Sequence, residues 1–274
     1  MLDLILALFA AYFVLLFFLR ILESRLIFFP NYPDRLAGDW HPRGLPLEDA
    51  WIETADGVRL HVWWIPADGA EFTFIAFHGN ASNVANRADV YRFLRELPAS
   101  VLAIEYRGYG RSEGTPSEAG IYLDAQAAYD YLVQKRGVAP RQIIAFGQSL
   151  GTAVAADLAA KREVGGVVLE APFPSARAIA KSVYWFLPGL GWVAKSKFDT
   201  TGKLSSARAP ILVVHCKRDP VIEFVFGQEV YARAHEPKFF WAAEGECHEE
   251  ASLVAPEKYR VRLQDFLTFV ASRK

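Results

Sequence analysis

The sequence has little of what would build a disulfide scaffold or a metal site: two cysteines, Cys216 and Cys247, with no C-x-x-C spacing and no His/Cys cluster. That scarcity argues against a disulfide framework and against structural zinc. An excess of either charge is also missing. Thirty Lys and Arg against thirty-one Asp and Glu leave a net charge of −1, and no basic stripe is interleaved with aromatics, so no nucleic-acid partner is expected. No G-x-G-x-x-G or phosphate-binding loop occurs and the histidines stand isolated, so neither a metal nor an organic cofactor is expected. There is no internal repeat and no low-complexity tract, and 274 residues suit one α/β domain or at most two small ones.

Apolar residues, by contrast, are abundant at 52%, with 14% aromatics, so some apolar surface is expected to face something other than water. Residues 4–19 read LILALFAAYFVLLFFL, a stretch of sixteen without a charge. At about 1.5 Å per residue they span about 24 Å, slightly less than a bilayer core of about 30 Å. Arg20 could snorkel to the headgroups and let Ile21 and Leu22 extend the span, with Phe28, Phe29 and Tyr32 at the interface. A cleaved signal peptide fits less well, because the one early charge is Asp3 and no Ala-x-Ala follows the run. A helix buried in a dimer or lying in the membrane plane is the second alternative, but the run is apolar all round. The favoured reading is an uncleaved single-pass anchor over residues 1–25, then a Pro/Gly-punctuated connector over 26–48. Arg20, Arg25 and Arg35 all follow the run, and this bias puts the larger domain on the cytoplasmic side.

From residue 49 to 274 the pattern alternates strand and helix. Segments 51–54 and 59–65 flank Asp56-Gly57, a hairpin signal. Apolar runs follow at 73–77, 101–105, 142–146, 166–170, 210–214 and 238–242, separated by helical patterns at 85–97, 117–135, 152–161, 224–234 and 257–272. Short strands apolar on both faces and joined through helices predict a mostly parallel sheet, with the hairpin as an antiparallel edge. Ligands in such sheets bind beyond the carboxyl ends of the strands, so the loops there are where chemistry is expected.

One of these loops is Gly147-Gln148-Ser149-Leu150-Gly151, between a strand and a helix. The bare G-x-S-x-G pattern would arise by chance in roughly one chain in ten of this size. Its context gives it weight: small residues on either side of the serine let helix and strand approach and lift the hydroxyl above the sheet. Such a serine needs a base and an orienting acid, in the order Ser, Asp or Glu, His. Of the histidines that follow, His235 ends a helix and His215 ends a strand, whereas His248 lies in the loop after the last strand. Asp219, after the neighbouring strand, is the expected acid, with Asp199 and Glu223 as fallbacks. A Gly-containing turn at His78-Gly79-Asn80-Ala81 could place the Asn80 N–H beside that of Leu150 as an oxyanion hole. His78 precedes the nucleophile and reads as a loop organiser.

These motifs, with Tyr106-Arg107-Gly108-Tyr109-Gly110-Arg111-Ser112-Glu113-Gly114, resemble the α/β-hydrolases from about residue 49 to the C-terminus. More narrowly, the chain resembles their membrane-anchored Bem46-like branch, which includes the eukaryotic α/β-hydrolase domain-containing proteins 13 and 17. The resemblance implies an α/β-hydrolase fold, Ser149, Asp219 and His248 as the triad, and hydrolysis of esters or thioesters; some relatives remove palmitate from proteins. Two departures stand out: Cys216 and Cys247 replace glycine or another small residue in adjacent loops, either as a thiol pair or disulfide or as two small buried side chains. Glu249 and Glu250, after His248, are expected to face solvent; pointing inward they would favour the imidazolium.

Residues 172–206 exceed what one crossing needs and contain Tyr184, Trp185, Phe186 and Trp192. They read as a small cap whose aromatics suit an apolar acyl group or contact with the bilayer. The expected partners are therefore an acyl ester or thioester and membrane lipid, with oligomeric state left open. Depalmitoylating thioesterase and amidase or peptidase are alternatives within acyl transfer, and a membrane-tethered scaffold is the alternative outside enzymes.

Overall fold

The computed structural model describes residues 1–273, with Trp192 described by its backbone alone. Helix α1 (Leu2–Ile27) contains neither glycine nor proline, and it ends where Phe28 turns extended ahead of Pro30. Its most apolar stretch has a mean hydropathy of 2.6, and the helix is long and apolar enough to cross a membrane. The strands are β1 (Glu48–Glu53), β2 (Arg59–Ile65), β3 (Phe72–Phe77), β4 (Ala99–Ile104), β5 (Ile143–Gln148), β6 (Gly166–Glu170), β7 (Ile211–Cys216) and β8 (Lys238–Ala243). The remaining helices are α2 (Ala88–Leu94), α3 (Glu118–Lys135), α4 (Leu150–Lys161), α5 (Ala176–Val183), α6 (Leu190–Val193), α7 (Thr200–Leu204), α8 (Phe224–Arg233), α9 (Ala251–Val254) and α10 (Pro256–Ala271).

Among the described residues the strands form one eight-stranded sheet in the order β1-β2-β4-β3-β5-β6-β7-β8. β1, β2 and β4 pair antiparallel, and every pairing from β4 through β8 is parallel. The expected mostly parallel sheet with an antiparallel hairpin edge is what forms. β3, β4, β5, β6 and β7 are buried along their whole length, which is why they read as unbroken apolar runs rather than alternating ones. Alternate residues go to opposite layers. Ile75, Phe77 and Leu102 face α3 and α4 with Val154 and Leu158, while Phe74, Ala76 and Phe146 face α2 and α10 with Tyr91 and Leu263. The helix expected over 85–97 is shorter, because Asn83 accepts the Asn86 N–H and starts a tight 3-10 turn over Val84–Arg87 before α2 begins.

Between β6 and β7 lie α5, α6 and α7, and two of the three begin on side-chain caps, Ser175 for α5 and Asp199 for α7. Between β4 and α3 the Tyr106–Gly114 stretch is a clamp. Arg107 Nε and backbone N–H both donate to buried Asp124, at 2.8 and 2.9 Å, and its two terminal nitrogens donate to Asp56 at 2.8 and 2.9 Å. A Cβ at position 120 would lie 2.5 Å from the Arg107 side chain, so Gly120 is what lets the guanidinium pass under α3. Arg107→Met would strand the Asp124 carboxylate in the core, at an expected cost of about 3–5 kcal/mol. Urea unfolding measures it, and adding Asp124→Leu should recover part of the loss.

Candidate active site

Ser149 sits between β5 and α4 with φ +49° and ψ −116°, a conformation that a non-glycine residue adopts only under constraint. Its N–H donates to Glu170 O at 2.9 Å, and its own carbonyl accepts from the Thr152 N–H at 2.9 Å and hydroxyl at 2.6 Å. The flanking glycines are required by close approach. A Cβ at 147 would stand 2.3 Å from Gly151 O, and one at 151 would stand 2.0 Å from Phe77 O.

Asp219 and His248 come from the loops after β7 and β8, which are neighbouring parallel strands. Asp219 Oδ2 lies 2.8 Å from His248 Nδ1, while Oδ1 accepts the N–H groups of Val221 and Ile222 at 2.8 and 2.9 Å. Burial alone would raise the Asp219 carboxyl; hydrogen bonds from His215 and His248 outweigh it and hold the group well below the usual carboxylate range. Burial would likewise lower His248, but the Asp219 bond and the Glu249, Asp219 and Glu250 carboxylates raise it above the ordinary imidazole value. The two cysteines are joined: Cys216, the last residue of β7, is disulfide-bonded to Cys247, with Cα atoms 5.7 Å apart. The bond staples the acid's loop to the residue immediately before the imidazole.

Glu249 does not face solvent. It is turned inward and mostly covered, in a 2.7 Å ion pair with Arg87, from the 3-10 turn ahead of α2. Arg87 also donates to Ala81 O at 3.3 Å and to Gln148 Oε1 at 3.4 Å, so one guanidinium touches three loops of the site. Gln148 Nε2 in turn donates to Glu249 O at 2.9 Å and to Glu170 Oε2 at 3.0 Å. The residue before Ser149 is thereby tied to the residue after His248. Glu250 does stay exposed, accepting the His248 and Glu249 N–H groups. Arg87 and Glu170 carried no motif and Gln148 only the variable position of one; their partners lie 162, 81 and 101 residues away, at separations that local pattern does not register.

At the candidate oxyanion loop, the Asn80 carbonyl is held by the Phe29 N–H at 2.9 Å and the Tyr109 hydroxyl at 2.7 Å, and the His78 carbonyl by the Tyr106 hydroxyl at 3.0 Å. With the carbonyls so occupied, the Asn80 N–H has no acceptor among the described residues, nor does the Leu150 N–H, the first of α4. His78 is buried, with Nδ1 at 2.7 Å from Gly79 O and Nε2 at 3.4 Å from Glu105. His215 Nε2 donates to Ile222 O at 3.0 Å and backs Asp219 at 3.3 Å, while His235 bonds the Glu236 carbonyl outside the site. Asp199 is spent as the α7 cap, and Glu223 bonds the Ser182 hydroxyl.

Tyr184, Trp185 and Phe186 are exposed and contact one another, and no hydrogen bond or ring contact joins them to Ser149, Asp219 or His248 among the described residues. The Trp192 side chain lies outside the described residues. A cavity of about 960 Å³ runs beneath α5 and α6, lined by Ser175, Lys181, Lys197 and Glu223, and not by the triad candidates.

A family model described as serine aminopeptidase, S33, matches residues 70–201. The chain is 32% identical to protein YfhR of Escherichia coli K12 over 93% of this chain and 92% of that one. It is 33% identical to α/β hydrolase domain-containing protein WAV2 of Arabidopsis thaliana, covering 75% of this chain and 70% of the relative. Human α/β hydrolase domain-containing protein 17B is 30% identical, over 81% and 75% of the two chains. Among solved structures, a Pyrococcus furiosus esterase superposes with a TM-score of 0.70 at 24% identity, over 85% of this chain and 97% of its own.

Burial pushes Glu170 up to about 8, against hydrogen bonds from Gln148 and the Ala251 N–H and with the Glu249 and Glu250 charges adding to it. The folded chain therefore keeps a proton that the unfolded chain releases near 4.5, so stability is expected to fall as pH rises from about 4.5 to about 8. Melting temperatures across that range should decline less steeply in Glu170→Gln. An identical slope in the two proteins would show that Glu170 is ionised in the fold.

Proposed function

The chain belongs to the α/β-hydrolases, and from that premise we propose that it is a membrane-anchored serine hydrolase cleaving carboxylic esters or thioesters of apolar acyl groups. One observation carries this reading: the Asp219–His248 contact at 2.8 Å, in a loop that the Gln148–Glu249 bond holds against the Ser149 elbow. In this reading the Ser149 hydroxyl attacks the acyl carbonyl. Nδ1 of His248 is engaged by Asp219, so Nε2 takes the serine proton and returns it to the departing alcohol or thiol. Negative charge on the carbonyl oxygen is met by the unpaired N–H groups of Asn80 and Leu150, each worth about 10²–10³ in rate. Water then hydrolyses the acyl-enzyme through the same imidazole. The low, ionised Asp219 stabilises the imidazolium as it forms.

Amide hydrolysis would use the same steps, and the family model's description names an aminopeptidase. The exposed aromatics of the cap and the apolar α1 favour an acyl group drawn from a membrane instead, which includes lipid-modified proteins. On topology two observations pull apart. Arg20, Arg25 and Arg35 favour a cytoplasmic catalytic domain, whereas the Cys216–Cys247 disulfide favours an oxidising compartment on the other face. Cleavage of the domain by protease added to intact cells separates them.

Ser149→Ala is expected to lower turnover of p-nitrophenyl acyl esters at least ~10⁴-fold and to abolish labelling by a fluorophosphonate probe. Undiminished turnover would remove Ser149 from the mechanism, and a wild-type chain that never labels would favour the scaffold. Because His248 must be neutral to act as base and is raised by its carboxylate neighbours, kcat/KM should rise with pH to a half-point above 6.5. Glu249→Gln, which removes one of those charges, should move that half-point down.

A further inference from the structure

Helix α1 has few polar side chains, and three of them are spent on the backbone of the cap. Glu23 accepts the Lys195 N–H at 2.6 Å and the Ser196 N–H at 2.7 Å. Arg20 donates to Val193 O, and Tyr12 donates to Pro188 O. Leu16, between Tyr12 and Arg20, is buried, and a Cβ placed on Gly189 would touch it. The contacts descend in step: as the cap chain runs back from 196 to 188, its partners on α1 run from 23 to 12. Eleven residues of helix rise about 16 Å, roughly half of a bilayer core.

From this register we propose that the cap is a membrane-inserted element: the segment from Val183 to Val193 lies within one leaflet, along α1, with lipid acyl chains as its partner. The proposal rests on the reading of α1 as a membrane span, since an α1 that crosses a bilayer carries the cap to the depth of Tyr12. Two further observations point the same way. The tip of the cap is apolar and uncovered, with Trp185 78% and Phe186 58% exposed and Val183 and Tyr184 beside them, and most of α1's own large apolar side chains are exposed as well. The cap's backbone groups that face α1 are also the ones given partners. In hydrocarbon an unsatisfied carbonyl or N–H has no water to turn to, so Tyr12, Arg20 and Glu23 supply what lipid cannot. On a cap that met only water, the Pro188 and Val193 carbonyls would need no such service. The foot of α1 is sewn to the candidate oxyanion turn by the Phe29 N–H to Asn80 O bond and by Asn80 Nδ2 to Ile27 O at 3.1 Å. An acyl chain would thus approach Ser149 from the leaflet rather than from water.

The test uses the full chain in phosphatidylcholine–phosphatidylglycerol vesicles, with its native cysteines already paired. Trp185→Cys, Phe13→Cys on α1 and Lys135→Cys on the far side of the domain each carry one nitroxide label. Collision with oxygen, which partitions into lipid, is compared with collision with a water-soluble nickel chelate. The expected oxygen-to-nickel ratio at 185 is within about threefold of that at 13 and at least about tenfold above that at 135. A label at 13 in lipid with 185 in water would overturn the inserted cap and leave the anchor standing. Labels at both positions in water would overturn the anchor itself. A label at 185 hidden from both reagents would show that a protein surface, such as a second copy, covers the tip instead.

Discussion

The backbone of Ser149 is the constraint on which the rest of the structure depends. A side chain held at φ +49° costs about 1–3 kcal/mol unless its surroundings over-determine it. Here they do. The Ser149 N–H and carbonyl are both hydrogen-bonded, to β6 on one side and to the first turn of α4 on the other. α4 can start where it does because residues 147 and 151 lack Cβ atoms, and a methyl group at either would strike backbone of α4 or β3. The elbow is therefore less a local turn than a consequence of β3, β5, β6 and α4 packed at their closest approach.

A chain of polar side chains supplies the second layer of organisation. Arg87, Glu249, Gln148 and Glu170 form a chain of contacts under the site, and each of the four bonds a loop that carries a candidate functional group. Replacing a buried ion pair with apolar side chains often costs little stability, so the Arg87–Glu249 pair is poorly explained as a stabiliser. It is better explained by what it joins: the candidate oxyanion turn at Ala81, the elbow at Gln148 and the loop of the candidate base at Glu249. The disulfide adds a covalent link between the Asp219 and His248 loops, joining residues 31 apart in sequence. These loops belong to different strand ends, and the directional bonds add to the shared core of Val84, Ala85, Cys216, Cys247 and Ala251 in fixing them relative to each other.

The fold was legible in the sequence because its signals are local. Unbroken apolar runs of five or six residues mark strands buried on both faces, and the helical stretches between them imply parallel pairing. The juxtaposition of Asp219 and His248 was legible for a related reason: strands adjacent in order, with the loop after each, bring those loops together. Arg87 was not legible, since a single arginine in a polar turn looks solvated until a carboxylate 162 residues on is placed beside it. The same limit produced the error at Glu249. The sequence pair Glu249-Glu250 looks like one exposed acidic step, yet the first is drawn inward by a cation that pattern does not reveal and the second is left outside. The cysteines were left open as a bonded pair or two small residues because spacing of this kind carries no pairing information.

The N-terminal segment shows how a run legible as apolar can hold more structure than its composition suggests. Phe28, at its end, is buried against Phe198 at the start of the segment leading to α7, with ring centroids 6.1 Å apart. Ile27 and Phe29 bond Asn80, and Tyr12, Arg20 and Glu23 bond the cap. α1 thus bonds both the candidate oxyanion turn at Asn80 and the segment between β6 and β7. A detachable tether would need none of these contacts, because any apolar helix on any linker holds a domain near a bilayer. The polar residues of α1 are costly in lipid and useful only if the helix keeps one position relative to the domain. Their placement fixes the helix against the Asn80 turn and the 188–196 segment, so that under the proposed anchoring its depth in the membrane would set where those two elements stand.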